Sequence, residues 1–226
     1  MKRLVLLAAL LFALGALTAC GGDDGDESAD GIEESTAAAD VGCEEAEAPE
    51  PREVSLDPPP KKPSSDELTA VVATSCGTFE IALDTKQSPR TVASFEYLAE
   101  KGVLDGTAFH RIVPGFVIQA GDPAGTGAGP GPGYSVDEPP PADAEYTQGV
   151  VAMAKSPVEP PGRSGSQFFV VSAADAGLPP DYAIVGEVTK GFDVVETIDG
   201  LGDPESGGTG TPLDVVTVDS VTIEAG

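Results

Sequence analysis

Between residues 109 and 122 the chain sets one cation and one amide, Arg111 and Gln119, among large apolar side chains and breaks the run with the turn pair Pro114-Gly115. After that turn the pattern predicts a strand in which Phe116, Ile118 and Ala120 point one way while Val117, Gln119 and Gly121 point the other. Arg111 precedes the turn. Its guanidinium stays charged at physiological pH and offers several donors to a single carbonyl oxygen or carboxylate. By spacing alone the stretch fits a working surface, and it also fits a buried strand whose Arg and Gln meet water at the rim.

Short runs of the same kind recur along the chain. Residues 68–75 and 78–84 read as strands joined through Cys76-Gly77, and Phe79, Ile81 and Leu83 alternate with Glu80, Ala82 and Asp84 in the period-two pattern of a half-buried strand. Ser88 as N-cap and Pro89 as the first helical residue predict a helix with Val92, Phe95, Leu98 and Ala99 on one face, closed by Lys101-Gly102. Residues 150–154, 167–171, 183–188 and 215–223 read as further strands, and a second helix turns Phe192, Val195 and Ile198 inward. Many short strands with two helices predict a mainly β domain over residues 67–225, best satisfied by a barrel.

A chain of 226 residues has room for one ordinary domain with a tail, or for two small ones. At its start, Lys2-Arg3 precedes an apolar run over residues 4–19 that is too short and too rich in small residues for a stable membrane span, which predicts an export signal over residues 1–19. The segment Leu17-Thr18-Ala19-Cys20 resembles the lipobox of bacterial lipoproteins, which implies lipidation of Cys20 and a lipid anchor in the bacterial cell membrane, outside the cytoplasm. Residues 20–66 are acidic and Pro-rich with few large apolar side chains, so they are expected to form a disordered tether.

The net charge of −26 excludes a nucleic-acid partner, since a polyanion would be repelled. A single His and three Cys exclude His-cluster and Cys-rich metal sites, and neither metal nor cofactor is expected. With Cys20 lipidated, Cys43 and Cys76 remain as a candidate disulfide in an oxidising compartment. The glycines of residues 125–133 lack the order of a phosphate-binding loop and are expected to form a mobile surface loop. Residues 162–166 resemble a nucleophile elbow only superficially, because the last Gly is displaced and no acid partner for the one His is evident.

The run Phe109-His110-Arg111-Ile112-Val113-Pro114-Gly115-Phe116, followed by Gln119 and Gly121-Asp122, closely resembles the signature of the cyclophilin-type peptidyl-prolyl cis-trans isomerases. Further matches follow in the family's order: Gly125-Thr126-Gly127, Val151-Ala152-Met153-Ala154, Gly165-Ser166-Gln167-Phe168-Phe169 and Ala183-Ile184-Val185-Gly186-Glu187-Val188. The resemblance implies a closed eight-stranded barrel capped by two helices. It also implies catalysis by Arg111, Gln119 and Phe116, a proline pocket of Phe116, Val117, Phe169 and Leu178 with Tyr182 over it, and a groove bordered by Gly125, Ala154 and Gln167.

The substrates so implied are proline-containing polypeptides, handled by a monomer that assists the folding of exported proteins. The alternative on the same fold is a non-catalytic module or chaperone that binds proline peptides. Three positions depart from the family pattern. Lys155 stands where Asn is usual, so a backbone hydrogen bond to substrate is lost or replaced by a mobile cation. Tyr182 replaces a common His and keeps a ring with a polar tip. Gly177 falls where cyclosporin-sensitive members carry Trp, which predicts weak cyclosporin binding. His110, the only histidine, is expected to be a structural hydrogen-bonding residue beside the site, because isomerisation needs no general base.

Overall fold

The computed structural model describes residues 42–129 and 131–226. The expected export signal, Cys20 and the tether before residue 42 lie outside the described residues. In chain order the elements are β1 (Leu68–Thr74), β2 (Gly77–Leu83), α1 (Pro89–Glu100), β3 (Thr107–Ala108), β4 (Arg111–Val113), β5 (Val117–Ala120), β6 (Val136–Asp137), β7 (Val150–Met153), β8 (Arg163–Ser164), β9 (Phe168–Val171), β10 (Ile184–Lys190), α2 (Phe192–Asp199) and β11 (Thr217–Ala225). A short 3-10 segment, Pro204–Thr209, precedes the last strand.

Nine of these strands form one antiparallel sheet in the order β3-β11-β1-β2-β10-β7-β9-β5-β4, and β6 pairs with β8 in a separate ribbon. The terminal strands β3 and β4 are consecutive in the chain, with only Phe109 and His110 between them. Three peptide units span at most about 11 Å, so the sheet has to curl until its two ends meet. The expected eight-stranded barrel with two helices is borne out as a curled sheet of nine strands. One ring position is shared by the two short strands β3 and β4, and the ends are joined by the covalent chain rather than by a ladder.

The two helices form as the sequence pattern predicts. Pro89 opens α1, where its missing N–H costs nothing, and Val92, Phe95, Leu98 and Ala99 are buried. The Phe95 ring meets Phe168 edge-on with centroids 5.6 Å apart, a favoured aromatic geometry. In α2 the buried set is Val194, Val195 and Ile198, while Phe192 packs partly exposed at the core's margin. The main core joins Phe79, Ile81, Phe109, Ile112, Ile118, Met153, Phe168 and Val170 to both helices. Full burial of one such side chain contributes roughly 1.5–3 kcal/mol.

Residues 42–66 correct the expected tether. They form neither helix nor strand, yet they run along the domain as a strap. Cys43 is disulfide-bonded to Cys76, and Glu44 N–H donates to the Ser75 carbonyl at 2.7 Å. Val54 and Leu56 pack against the main core. Ser64 donates from its backbone N–H to the Glu96 carboxylate at 2.9 Å and from its hydroxyl to the same group. The composition argument fails here because a covalent clip and backbone hydrogen bonds hold a segment that its few apolar residues would not hold alone.

Candidate active site

The β4–β5 hairpin sets Arg111 directly opposite Gln119. The same register continues across the sheet, with Gln119 opposite Phe169, Phe169 opposite Ala152, and Ala152 opposite Ile184. Residues directly opposite in a ladder share a face, so these five form a row across five strands. Ile118 and Ala120 turn inward to the main core, whereas Val117, Phe169, Val171, Ala152 and the fully buried Tyr146 form a second apolar cluster on the outer face. All four residues of β9 are buried because both faces of the strand are covered, which is why it reads as a continuous apolar run.

Phe116 departs from the expected alternation. It precedes β5, lies at the exit of the Pro114-Gly115 turn, and packs with Val117 on the outer cluster rather than with Ile118. The Asp199 carboxylate at the end of α2 accepts from Gly115 N–H at 2.9 Å and from the Ser172 hydroxyl at 2.6 Å, while the Phe116 carbonyl accepts from Ser172 N–H at 3.1 Å. This clamp sets Phe116 beside Arg111, whose guanidinium carbon lies 5.9 Å from the ring centroid.

Arg111 donates from Nε and Nη2 to the Gly208 carbonyl, at 3.3 and 3.1 Å, which uses two of its five N–H donors. Burial lowers its pKa from the ordinary value, opposed by the nearby Tyr182 phenol. Gln119 Nε2 donates to Gln167 Oε1 at 2.9 Å. Phe169 and Val117 floor the apolar patch, and Phe116, Leu178 and Tyr182 form its partly exposed rim. Tyr182 meets Phe169 edge-on at 5.4 Å, and Tyr146 hydroxyl ties both ends of Tyr182's backbone, donating to its carbonyl at 2.7 Å and accepting from its N–H at 3.0 Å. Burial raises the pKa of Tyr146 and keeps that donor protonated.

Beside the apolar patch lies a cavity of about 600 Å3 whose lining includes Gln119, Ser166 and Gln167. One wall is the glycine-rich loop, through Gly127, Ala128, Gly129 and Gly131; the other is Ala154, Lys155, Ser156, Pro157 and Glu159. Of the expected catalytic and substrate-binding residues, the structure places all but Gly125 on the apolar patch, the adjoining row or the cavity; Gly125 is exposed and does not line the cavity, and Gly127 and Gly129 take that place.

Both walls correct an expectation. The glycine-rich loop is wound on the buried Asp122 carboxylate, which accepts from the N–H groups of Ala124, Thr126, Gly127 and Gly129 at 2.7–3.3 Å and from the Thr126 hydroxyl at 3.3 Å. It is an ordered wall. Lys155 is not a mobile cation: its side chain is 4% exposed, and its Nζ sits 3.7 Å from an Asp181 oxygen and 5.5 Å from the Tyr182 ring centroid. Nζ also donates to the Glu159 carbonyl at 3.2 Å.

His110 is corrected too. Both ring nitrogens are buried without a hydrogen-bond partner among the described residues. The Ala108 backbone and the Gln167 side chain are near the ring but outside hydrogen-bond geometry, and Gln167 Oε1 is already engaged by Gln119. Burial lowers the His110 pKa, with the Asp122 carboxylate opposing. The ring instead backs Gly127, where a Cβ would come within 2.9 Å of His110 Cδ2 and where φ is +72°. Sequence reasoning missed Asp122, Tyr146 and Asp199 as supports. Asp122 stood inside the quoted motif, and a buried-carboxylate role could have been read from the glycines that follow it.

Comparison with known proteins agrees with this geometry. The family described as "Cyclophilin type peptidyl-prolyl cis-trans isomerase/CLD" matches residues 69–223. The chain is similar to peptidyl-prolyl cis-trans isomerase B of Streptomyces anulatus, 36% identical over 178 residues that cover 71% of this chain and 98% of the relative. A probable peptidyl-prolyl cis-trans isomerase A of Mycobacterium leprae is 36% identical over 174 residues, 69% of this chain and 91% of the relative. A Cryptosporidium parvum cyclophilin-type isomerase crystallised in the presence of the dipeptide Ala-Pro superposes with a TM-score of 0.62 at 29% identity, covering 70% of this chain and 99% of that one. The match over residues 69–223 and the likeness to these relatives agree with the curled antiparallel sheet, and the chain belongs to the cyclophilin-type peptidyl-prolyl cis-trans isomerases.

Proposed function

We propose that Arg111 carries the isomerisation by binding the twisted X-Pro amide better than the planar one. The obstacle is amide resonance, a barrier of roughly 20 kcal/mol, and it requires neither nucleophile nor net proton transfer. When the bond twists, the lone pair localises on the proline nitrogen, so a donor aimed there is stronger in the transition state than in the ground state. The Arg111 guanidinium has donors left over for that nitrogen and for the proline carbonyl beyond those given to Gly208. The apolar patch of Phe116, Val117, Phe169 and Leu178 holds the pyrrolidine ring still, and Gln119 holds the peptide on the other side of the bond.

The observation that carries this reading is the cross-strand row, with cation, amide and aromatic ring abreast beside the apolar patch. Burying most of one proline ring contributes about 1–2 kcal/mol, which orients a substrate without retaining it. The test is cis-to-trans conversion of a short Ala-Pro peptide by the full chain beside Arg111→Ala. The variant should lose about 100-fold or more of kcat/KM with its fold intact. A variant within threefold of the parent would remove Arg111 from the mechanism. A parent no faster than buffer would favour a proline-peptide binding module.

The finer role we propose is assistance to exported proteins from a lipid anchor at Cys20, outside the cytoplasm. Two observations support it: the leader ending in Leu17-Thr18-Ala19-Cys20 and the Cys43–Cys76 disulfide, which suits an oxidising compartment. Cys20→Ala should move the protein from the membrane fraction to the soluble one. Retention in the membrane fraction would sink the anchor.

A further inference from the structure

The strap lies outside residues 69–223, yet it touches both feet of the glycine-rich wall. Arg52 N–H donates to the Pro123 carbonyl at 2.8 Å, one residue after Asp122, where the wall begins. Leu56 N–H donates to the Pro132 carbonyl at 2.8 Å, where the wall ends. Between these points Ser55 lies against Gly133, where a Cβ would come 3.1 Å from the Ser55 Cα, an approach open only to glycine at its φ of +91°. A span of five residues, Arg52 to Leu56, thus bridges the two ends of a loop whose amides converge on Asp122.

The bridge is itself anchored on three sides. The Arg52 guanidinium donates to the carbonyls of Gly102 and Val103, at 3.3 and 3.2 Å, and to that of Asp105, just past the end of α1. Leu56 and Val54 are seated on the main core. Upstream, the Cys43–Cys76 disulfide fixes where the strap starts, at the β1–β2 turn. Three carbonyls on one guanidinium fix direction as well as position, because the planar fork admits few arrangements.

We propose that the segment from Arg52 to Leu56 is a positioning element of the substrate groove, holding the feet of the glycine-rich wall at the separation that substrate binding needs. The proposal rests on the isomerase reading in taking that cavity as the groove. The strap touches no reacting atom, so it acts on the ground state and the transition state alike. Its loss therefore raises KM and leaves kcat in place.

The experiment compares the full chain with Arg52→Ala, Arg52→Lys and Leu56→Ser, reading kcat and KM separately on a proline tetrapeptide and amide exchange residue by residue. Arg52→Ala and Leu56→Ser should raise KM about three- to tenfold with kcat within about twofold, and should speed exchange at Thr126, Gly127 and Gly129 while β5 and β9 stay protected. Arg52→Lys, which keeps a donor cation, should restore part of the KM. An unchanged KM in a variant whose residues 52–56 exchange freely would overturn the proposal, as would a loss confined to kcat. If the parent itself does not isomerise, the isomerase reading fails, and the exchange data alone decide whether the strap orders the wall.

Discussion

The glycine-rich wall, described over residues 122–129 and 131–133, is folded by its own backbone around one buried carboxylate, whereas the opposite wall, residues 155–162, is tied together by side chains. In the first, four N–H groups converge on Asp122, and the close approaches exclude most side chains, as at Gly129, where a Cβ would overlap the carboxylate. In the second, Lys155 gathers Asp181, the Glu159 carbonyl and the Tyr182 ring, and the Glu159 carboxylate returns to Ser156 N–H at 2.7 Å. A backbone-wound wall has one shape and fails as a unit. A wall clasped by long side chains can lose one contact and keep the rest, so the second wall tolerates local change without loss of fold.

The sharpest way to break this contrast is Asp122→Ala. It leaves the four amides without their shared acceptor and should cost about 3 kcal/mol by chemical denaturation, with KM raised more than tenfold. A loss under about 1 kcal/mol would show that the loop holds without its hub, and the contrast would collapse. Lys155→Met keeps the stem and removes the charge. It should cost about 1 kcal/mol, loosen residues 156–162 in amide exchange and leave the Asp122 loop untouched. Equal loosening of both walls would mean that they are one unit.

The smallest effect is acid dependence. The His110 pKa is lower in the folded chain than in the unfolded one because the ring is buried, so below about pH 6.5 the unfolded chain takes up the proton first. That part of the stability is complete above the unfolded value and is lost as pH falls toward the folded one. Because His110 backs Gly127, acidification between pH 7 and 5 should loosen the glycine-rich wall before the Lys155 wall, and His110→Gln should flatten that slope. An identical slope in the variant would assign the acid sensitivity elsewhere.

Arg111 and Gln119 were legible as a pair because the hairpin turn and the period-two pattern are local properties of residues 109–122. Phe116 was misassigned by the same rule: it was counted as a strand residue, but the Asp199 clamp on Gly115 keeps it in the turn and swings it to the outer face. Lys155 was legible as a departure and illegible in its role, since Asp181 and Tyr182 lie far along the chain. The tether was read from composition, which measures how much apolar surface a segment can bury. It does not measure what a disulfide or three backbone carbonyls can hold in place.

The amino-acid sequence by itself determined the short strands and two helices, the turn at Pro114-Gly115, the chemistry of the cation and amide, and the pairing candidates Cys43 and Cys76. These follow from side-chain period, backbone preference and ionisation, which act over a few residues. Only the tertiary structure decided that Arg111, Gln119 and Phe169 stand abreast, that β9 is covered on both faces, that Asp122 carries a wall, and that residues 52–56 brace it. Those outcomes depend on ladder register and on contacts between segments tens of residues apart, and no local preference encodes them.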